Sequence, residues 1–343
     1  MYQAGVAPLE RVRRVIRGDS VDRVPVVPIL HYGTARAIGA TIRQFGADPE
    51  VMARALTASQ HRFGYDGIQV SLSVAVEAEA IGSLTEQPED AVPYVVQPIV
   101  RTPGDLRGLR VPDPSRDGRL PVFVEAVRLL AEQVGDRPYL IATIRGPLNM
   151  ASQLRGVEQL MLDLHDDPTF VYNLLDFCVE VGAVFGAALT RAGANAIAIG
   201  EALCSPAFIS PRTYRALVAE RHGDLVARLR AAGAEATLLH VCGDIRPILP
   251  DLAAAGADIV DIDWQVDPGE ADRLAGGRVA LRGNLDPSAV LLLGTPAEVL
   301  ATARQALASA AGARFILGSG CDVAPSTPPA NLDALVAAAN PDL

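Results

Sequence analysis

The stretch TLLHVCGD, residues 237–244, decides how the chain is read. It is a continuous apolar run that ends on His240 and Cys242, two positions apart and followed by glycine. Continuous runs of this kind, without polar alternation, suit parallel strands buried on both faces. Seven further runs resemble it: 24–30, 67–70, 138–144, 196–200, 259–263, 279–284 and 313–319, with 236–242 as the fifth in order. Between them lie Ala-, Leu- and Arg-rich segments with apolar spacing near 3.6, such as 212–231 and 245–255. Ser210-Pro211 and Asp286-Pro287 have the chemistry of helix starts. Eight strands alternating with helices predict an α/β fold, a closed (β/α)₈ TIM barrel formed by residues 1–343 as one domain. An open doubly wound sheet is the alternative, weakened because no G-x-G-x-x-G follows the first strand. Residues 71–137 are too long for a simple βα unit and are expected to form an excursion after strand two, a hairpin or lid over the barrel mouth.

Composition narrows the function. The chain has 343 residues, half of them hydrophobic, a net charge of −10 and no lysine. The acidic balance argues against nucleic acid or an anionic membrane as partner. No uninterrupted apolar run approaches the roughly 18 residues of a membrane span. The N-terminus lacks an apolar core with a small-residue cleavage site. A cytoplasmic enzyme acting on a small molecule is therefore expected, with its four cysteines reduced and its oligomeric state open.

Barrel function sits where strands end at the C-terminal face. Strand five ends at His240 and Cys242, six at Asp263 and seven at Asn284; Cys321 follows strand eight in a Gly-rich loop. A histidine and two cysteines make a good zinc set with a fourth place left over. The plainer alternative is that these are small side chains at the edge of a core, which is how Cys178 and Cys204 are read. Glu201 either orients a substrate or caps its loop. Arg145 either pairs with an anionic tail or supports a loop. His31 and Tyr32 follow strand one as candidate substrate contacts, as does Asn284, whose GNLDP turn, with Asp286, can equally be structural. His61, His165 and His222 are read as surface residues.

The segments LLHVCGD, GADIVDID, RGNLDP and FILGSGCDVAPSTPPANLDALV, with IRGPLNMASQLRG and EALCSPAFISPRTY, resemble the uroporphyrinogen decarboxylase superfamily. More closely they are similar to its zinc-dependent branch, the methylcobamide:coenzyme M methyltransferases. That resemblance implies zinc on His240, Cys242 and Cys321, a small-molecule thiol such as coenzyme M held as thiolate, and a methyl group arriving from methylcobalamin on a corrinoid carrier protein. A more distant likeness, to cobalamin-independent methionine synthase, implies Asp263 as a fourth ligand, also implicated in catalysis, with Asp261 as the fallback. The decarboxylases carry an arginine-rich stretch after strand one and an aspartate after strand two. Here PILHYGTARAIG holds only Arg36, and IQVSLSVAVEAEA holds no aspartate, so tetrapyrrole decarboxylation is disfavoured. Transfer from an epoxide or a methyl-folate, a metal-free lyase, and a tetrapyrrole- or corrinoid-binding protein without turnover remain alternatives.

Overall fold

The computed structural model describes residues 5–71, 73–134 and 138–340. Nine strands are present among them: Gly67–Val70 (β1), Leu84–Glu86 (β2), Tyr94–Gln97 (β3), Tyr139–Arg145 (β4), Ala196–Gly200 (β5), Ala236–His240 (β6), Ile259–Asp261 (β7), Ala280–Leu285 (β8) and Phe315–Ser319 (β9). β1 and β4 to β9 form one curled parallel sheet in that order. The fold is that of a TIM barrel.

The predicted first strand, 24–30, is not a strand along its length. Val26 forms a single parallel bridge to Leu317. Val27 donates to Leu317 O at 2.8 Å, and Asp66 donates from its backbone to Val26 O at 2.7 Å. The segment thus lies between β9 and β1 as the remaining stave. Its ladder is broken because Pro25 and Pro28 carry no N–H, and the Val26 amide is taken by the Asp66 side chain at 2.7 Å.

Side chains alternate across a strand, and this parity builds the interior in two layers. Low in the barrel, Val27, Ile141, Ala198, Leu238, Ile259, Ala280 and Ile316 share an apolar cluster with Leu9, Val12 and Val15 of the helix Pro8–Arg17. Two residues further along, the same parity places Thr143, Gly200, His240, Asp261 and Arg282. In register, Gly200 pairs with His240 and Asp261 with Arg282. The upper layer is therefore polar.

The excursion holds an antiparallel hairpin, β2 with β3, preceded by the short helix Val76–Ile81. The helix Leu120–Val134 belongs to the outer layer: Phe123 packs edge-on against Phe185 of the helix Pro168–Arg191. That 24-residue helix is, by length and composition, apolar enough to cross a bilayer. Polar residues keep it from being an uninterrupted apolar run: Asn173, Asp176 and Glu180 lie on its exposed side. Its inward side is packed, with Gly182 and Gly186 close against Leu225 and Leu229.

Candidate metal centre

His240 closes β6, while Cys242 lies just beyond it, at the turn made by Gly243 with φ +83°, a conformation glycine adopts at little cost. Cys321 lies in the loop after β9. Its neighbour Gly320 packs so tightly that a Cβ there would meet Asp263 Oδ1 at 2.3 Å. The two loops bring three donors together. Cys242 Sγ is 3.4 Å from His240 Nε2 and 3.7 Å from Cys321 Sγ, and Cys321 Sγ is 3.8 Å from His240 Nε2. Two thiolates on one tetrahedral zinc ion stand ~3.8 Å apart, and a thiolate and an imidazole nitrogen ~3.6 Å. The three atoms fit that geometry, with a fourth position left over.

The imidazole is held from behind. His240 Nδ1 lies 2.8 Å from Asp261 Oδ2, which leaves Nε2 for a metal, the arrangement by which a carboxylate sets tautomer and ring orientation. Asp261 also receives Nε and Nη2 of Arg282 at 2.7 and 2.6 Å. Arg282 Nη1 donates to Gln69 Oε1 at 2.6 Å, and Gln69 Nε2 to Thr143 Oγ1 at 3.0 Å. Asp261 therefore stands behind the histidine, where the sequence had left it as a fallback ligand. Arg282 and Gln69 escaped sequence reasoning. The signal available was an arginine inside an apolar strand, since a charge is almost never fully buried unless paired.

Asp263 is outside the three-donor group. Its Oδ2 accepts from Gly243 N and its Oδ1 from Trp264 N, both at 2.8 Å, so it fastens the Cys242 turn. Glu201 is fully buried and lines the cavity, but its oxygens accept the amides of Leu148 and Asn149 at 2.9 and 3.1 Å. It thereby caps the helix Pro147–Arg155, where a carboxylate is favoured. His222 is buried, not on the surface. It shares an inward helix face with Leu225, Val226 and Leu229, and its Nδ1 lies 3.0 Å from the Tyr214 hydroxyl. Glu201, Cys204 and His222 form a second close group, but all three are fully buried and the Glu201 oxygens are already taken by the amides of Leu148 and Asn149.

A cavity of about 230 Å³ opens over the three donors, lined also by His31, Tyr32, Ser71, Thr143, Arg145 and Asp322, with Val74 and Val92 from the excursion. Asn284 is not brought there. Its Nδ2 donates to Val266 O at 2.8 Å, and it lines a separate cleft with Trp264 and Asp286. Arg36 likewise faces a different pocket.

The electrostatics favour proton release on metal binding. Burial disfavours charge on His240, but Asp261 and Cys321 outweigh it and raise the imidazole to about 10. Hydrogen bonding from Cys242 and then His240 brings Cys321, against burial, down to about 4, while Cys242 is pushed up by that same shared proton and by burial. Between those two values the site carries one proton on His240 Nε2 and one on the thiol pair. A metal displaces both, because its ligands bind deprotonated. Raising the pH therefore favours the metal: zinc affinity should climb about a hundredfold per pH unit near neutrality. Chelator competition at two pH values, corrected for the chelator's own protons, measures this. A pH-independent affinity would contradict the arrangement.

The family model described as "Uroporphyrinogen decarboxylase (URO-D)" matches residues 7–341. The chain belongs to the uroporphyrinogen decarboxylase (URO-D) family. Among curated relatives, the methylcobamide:CoM methyltransferase MtaA of Methanosarcina barkeri is 30% identical over 340 residues, covering 96% of each chain. A uroporphyrinogen decarboxylase of Nocardia farcinica is 33% identical over 303 residues, covering 84% of this chain and 82% of that one. Among solved structures, a methyltransferase from Methanosarcina mazei superposes with a TM-score of 0.90 at 28% identity, covering 97% of this chain and 98% of the other. Membership of the URO-D family is thus compatible with either chemistry, and the cavity has to separate them.

Proposed function

We propose that this URO-D family member transfers a methyl group from a methylated corrinoid, presented by a carrier protein, to a thiol of the coenzyme M type. The observation that carries the proposal is the meeting of His240 Nε2, Cys242 Sγ and Cys321 Sγ within 3.8 Å at the wall of a small cavity. Zinc held there would supply Lewis acidity, making a thiol a usable nucleophile near neutral pH.

The protein's own groups would then orient the substrate. Arg145 is in register with Gly200, which is in register with His240, so two strand spacings, roughly 10 Å, separate Arg145 from the histidine. That distance suits a short thiol whose anionic end pairs with the guanidinium while its sulfur faces the cysteines. Arg145 Nη2 already rests on Ser71 Oγ at 3.0 Å, and its buried Nε has no hydrogen-bond partner among the described residues. Tyr32 and His31 wall the other side.

The cavity size also bears on the donor. At about 230 Å³ it falls below the roughly 300–1,000 Å³ of pockets that enclose drug-sized ligands. Arg145 is the one guanidinium among the described residues that line it, which suits a single anionic group better than the several carboxylates of a tetrapyrrole and disfavours decarboxylation. A corrinoid would lie across the mouth, against Val74 and Val92. The thiolate attacks the methyl carbon, the carbon–cobalt bond breaks, its electron pair stays on cobalt as cobalt(I), and a thioether leaves.

Incubating the zinc-loaded protein with methylcobalamin and a panel of thiols should give cobalt(I) absorbance and the methyl thioether with coenzyme M. Epoxide and methyl-folate donors, tested with the same thiol, should give none. A fully metallated protein that reacts with no thiol would overturn the proposal.

A further inference from the structure

We infer that His31 is the catalytic group that takes the proton from the entering thiol, an inference that rests on the thiol-transfer proposal. His31 precedes the 3₁₀ segment Tyr32–Ile38 and is only 8% exposed. It lines the cavity that the three donors line but is not one of them. Its Nδ1 faces Asp322 Oδ1 at 3.3 Å. Its Nε2 is buried and has no hydrogen-bond partner among the described residues. A buried polar nitrogen left unpaired costs free energy, and an unpaired imidazole nitrogen at the wall of a substrate cavity finds its partner in the substrate.

Asp322 Oδ1 lies on the Nδ1 side of the ring, within ion-pair reach, and favours the tautomer protonated there. With the ring proton on Nδ1 toward the carboxylate, Nε2 carries the lone pair. The other charged groups lining the cavity are unsuited to the task. Arg145 cannot accept a proton. Glu201 has both oxygens on helix amides. His240 belongs to the donor set, with Asp261 behind it. Asp322 faces His31 itself and stabilises the imidazolium that forms. As the thiol binds, its S–H bond breaks, the proton moves to His31 Nε2, and the electron pair remains on sulfur. Geometry of this kind, a base oriented by a carboxylate on its far nitrogen, is what general-base catalysis needs.

The test is kinetic. Zinc-loaded protein at about pH 7.5 is mixed with methylcobalamin and coenzyme M, and both the rate of cobalt(I) formation and the affinity for the thiol are followed. His31→Gln should retain its zinc and bind the thiol within a few-fold of wild type, while the rate falls on the order of 10²–10⁴-fold, and added imidazole should restore part of it. Asp322→Asn, at an exposed position, should give a smaller loss and carries the comparison if His31→Gln does not fold. A His31→Gln rate within a few-fold of wild type, or a loss that imidazole does not reduce, overturns the role of His31. Failure of wild-type holoenzyme to bind coenzyme M at all overturns the thiol-transfer proposal instead.

Discussion

Cys321→Ala should lose zinc and methyl transfer together while keeping its fold. Structural zinc sites bind with about 10–16 kcal/mol, so one of four ligands accounts for roughly 3–4 kcal/mol of it, or two to three orders of magnitude in affinity. Cys321 is partly exposed and sits in a loop beyond β9, so little packing is lost with its sulfur. Zinc content after chelator challenge and the thermal midpoint should therefore move independently: the first falls, the second holds. Cys242→Ala should behave alike, because Cys242 and Cys321 are 3.7 Å apart and occupy equivalent corners of the donor set. A Cys321→Ala protein that kept one tightly held zinc and normal turnover would remove the central element of the proposed function.

Asp261→Ala should produce the largest loss of stability of any single substitution near the centre. Arg282 is fully buried, and Asp261 supplies two of its three side-chain hydrogen bonds. Burial opposes charge on Asp261, but Arg282 and His240 hold its carboxyl below the usual range, so the pair is ionised. Removing one partner leaves an uncompensated buried charge, at a cost of about 3–5 kcal/mol, readable as a lowered denaturation midpoint. The same change frees the Nδ1 side of His240 and should weaken zinc ~10–100-fold. The double variant Asp261→Leu with Arg282→Met separates the effects. Removing both charges should restore most of the stability, but zinc affinity should stay low, because His240 still lacks its orienting carboxylate. Recovery of both would mean that Asp261 acts on the metal only through stability.

Much of this arrangement was legible in the chain before any coordinates. The continuous apolar runs at 67–70, 138–144, 196–200, 236–242, 259–263, 279–284 and 313–319 correspond to the parallel strands, because strands covered on both faces leave no polar alternation. The pattern also placed His240, Cys242 and Cys321 at one end of the barrel, since strand direction decides which end a strand-terminal residue occupies. At 24–30 it went too far. Apolar content there is high, but prolines remove the donors that a ladder requires, and only one bridge forms.

The sequence by itself determined the barrel, the end at which its chemistry lies, and three donors suited to one ion. Tertiary structure alone decided how the acidic and buried polar residues divide their roles. Asp261 and Asp263 are two positions apart and look interchangeable on paper. Only Asp261 lies in register with Arg282 on β8 and reaches behind His240, while Asp263 has left the strand and binds the amides of Gly243 and Trp264. Asn284 went to another cleft, and His222 went inside. The physical reason is that a period of two tells which face of a strand a side chain takes, whereas its partner depends on the register of the next strand and on loop conformations that carry no period at all.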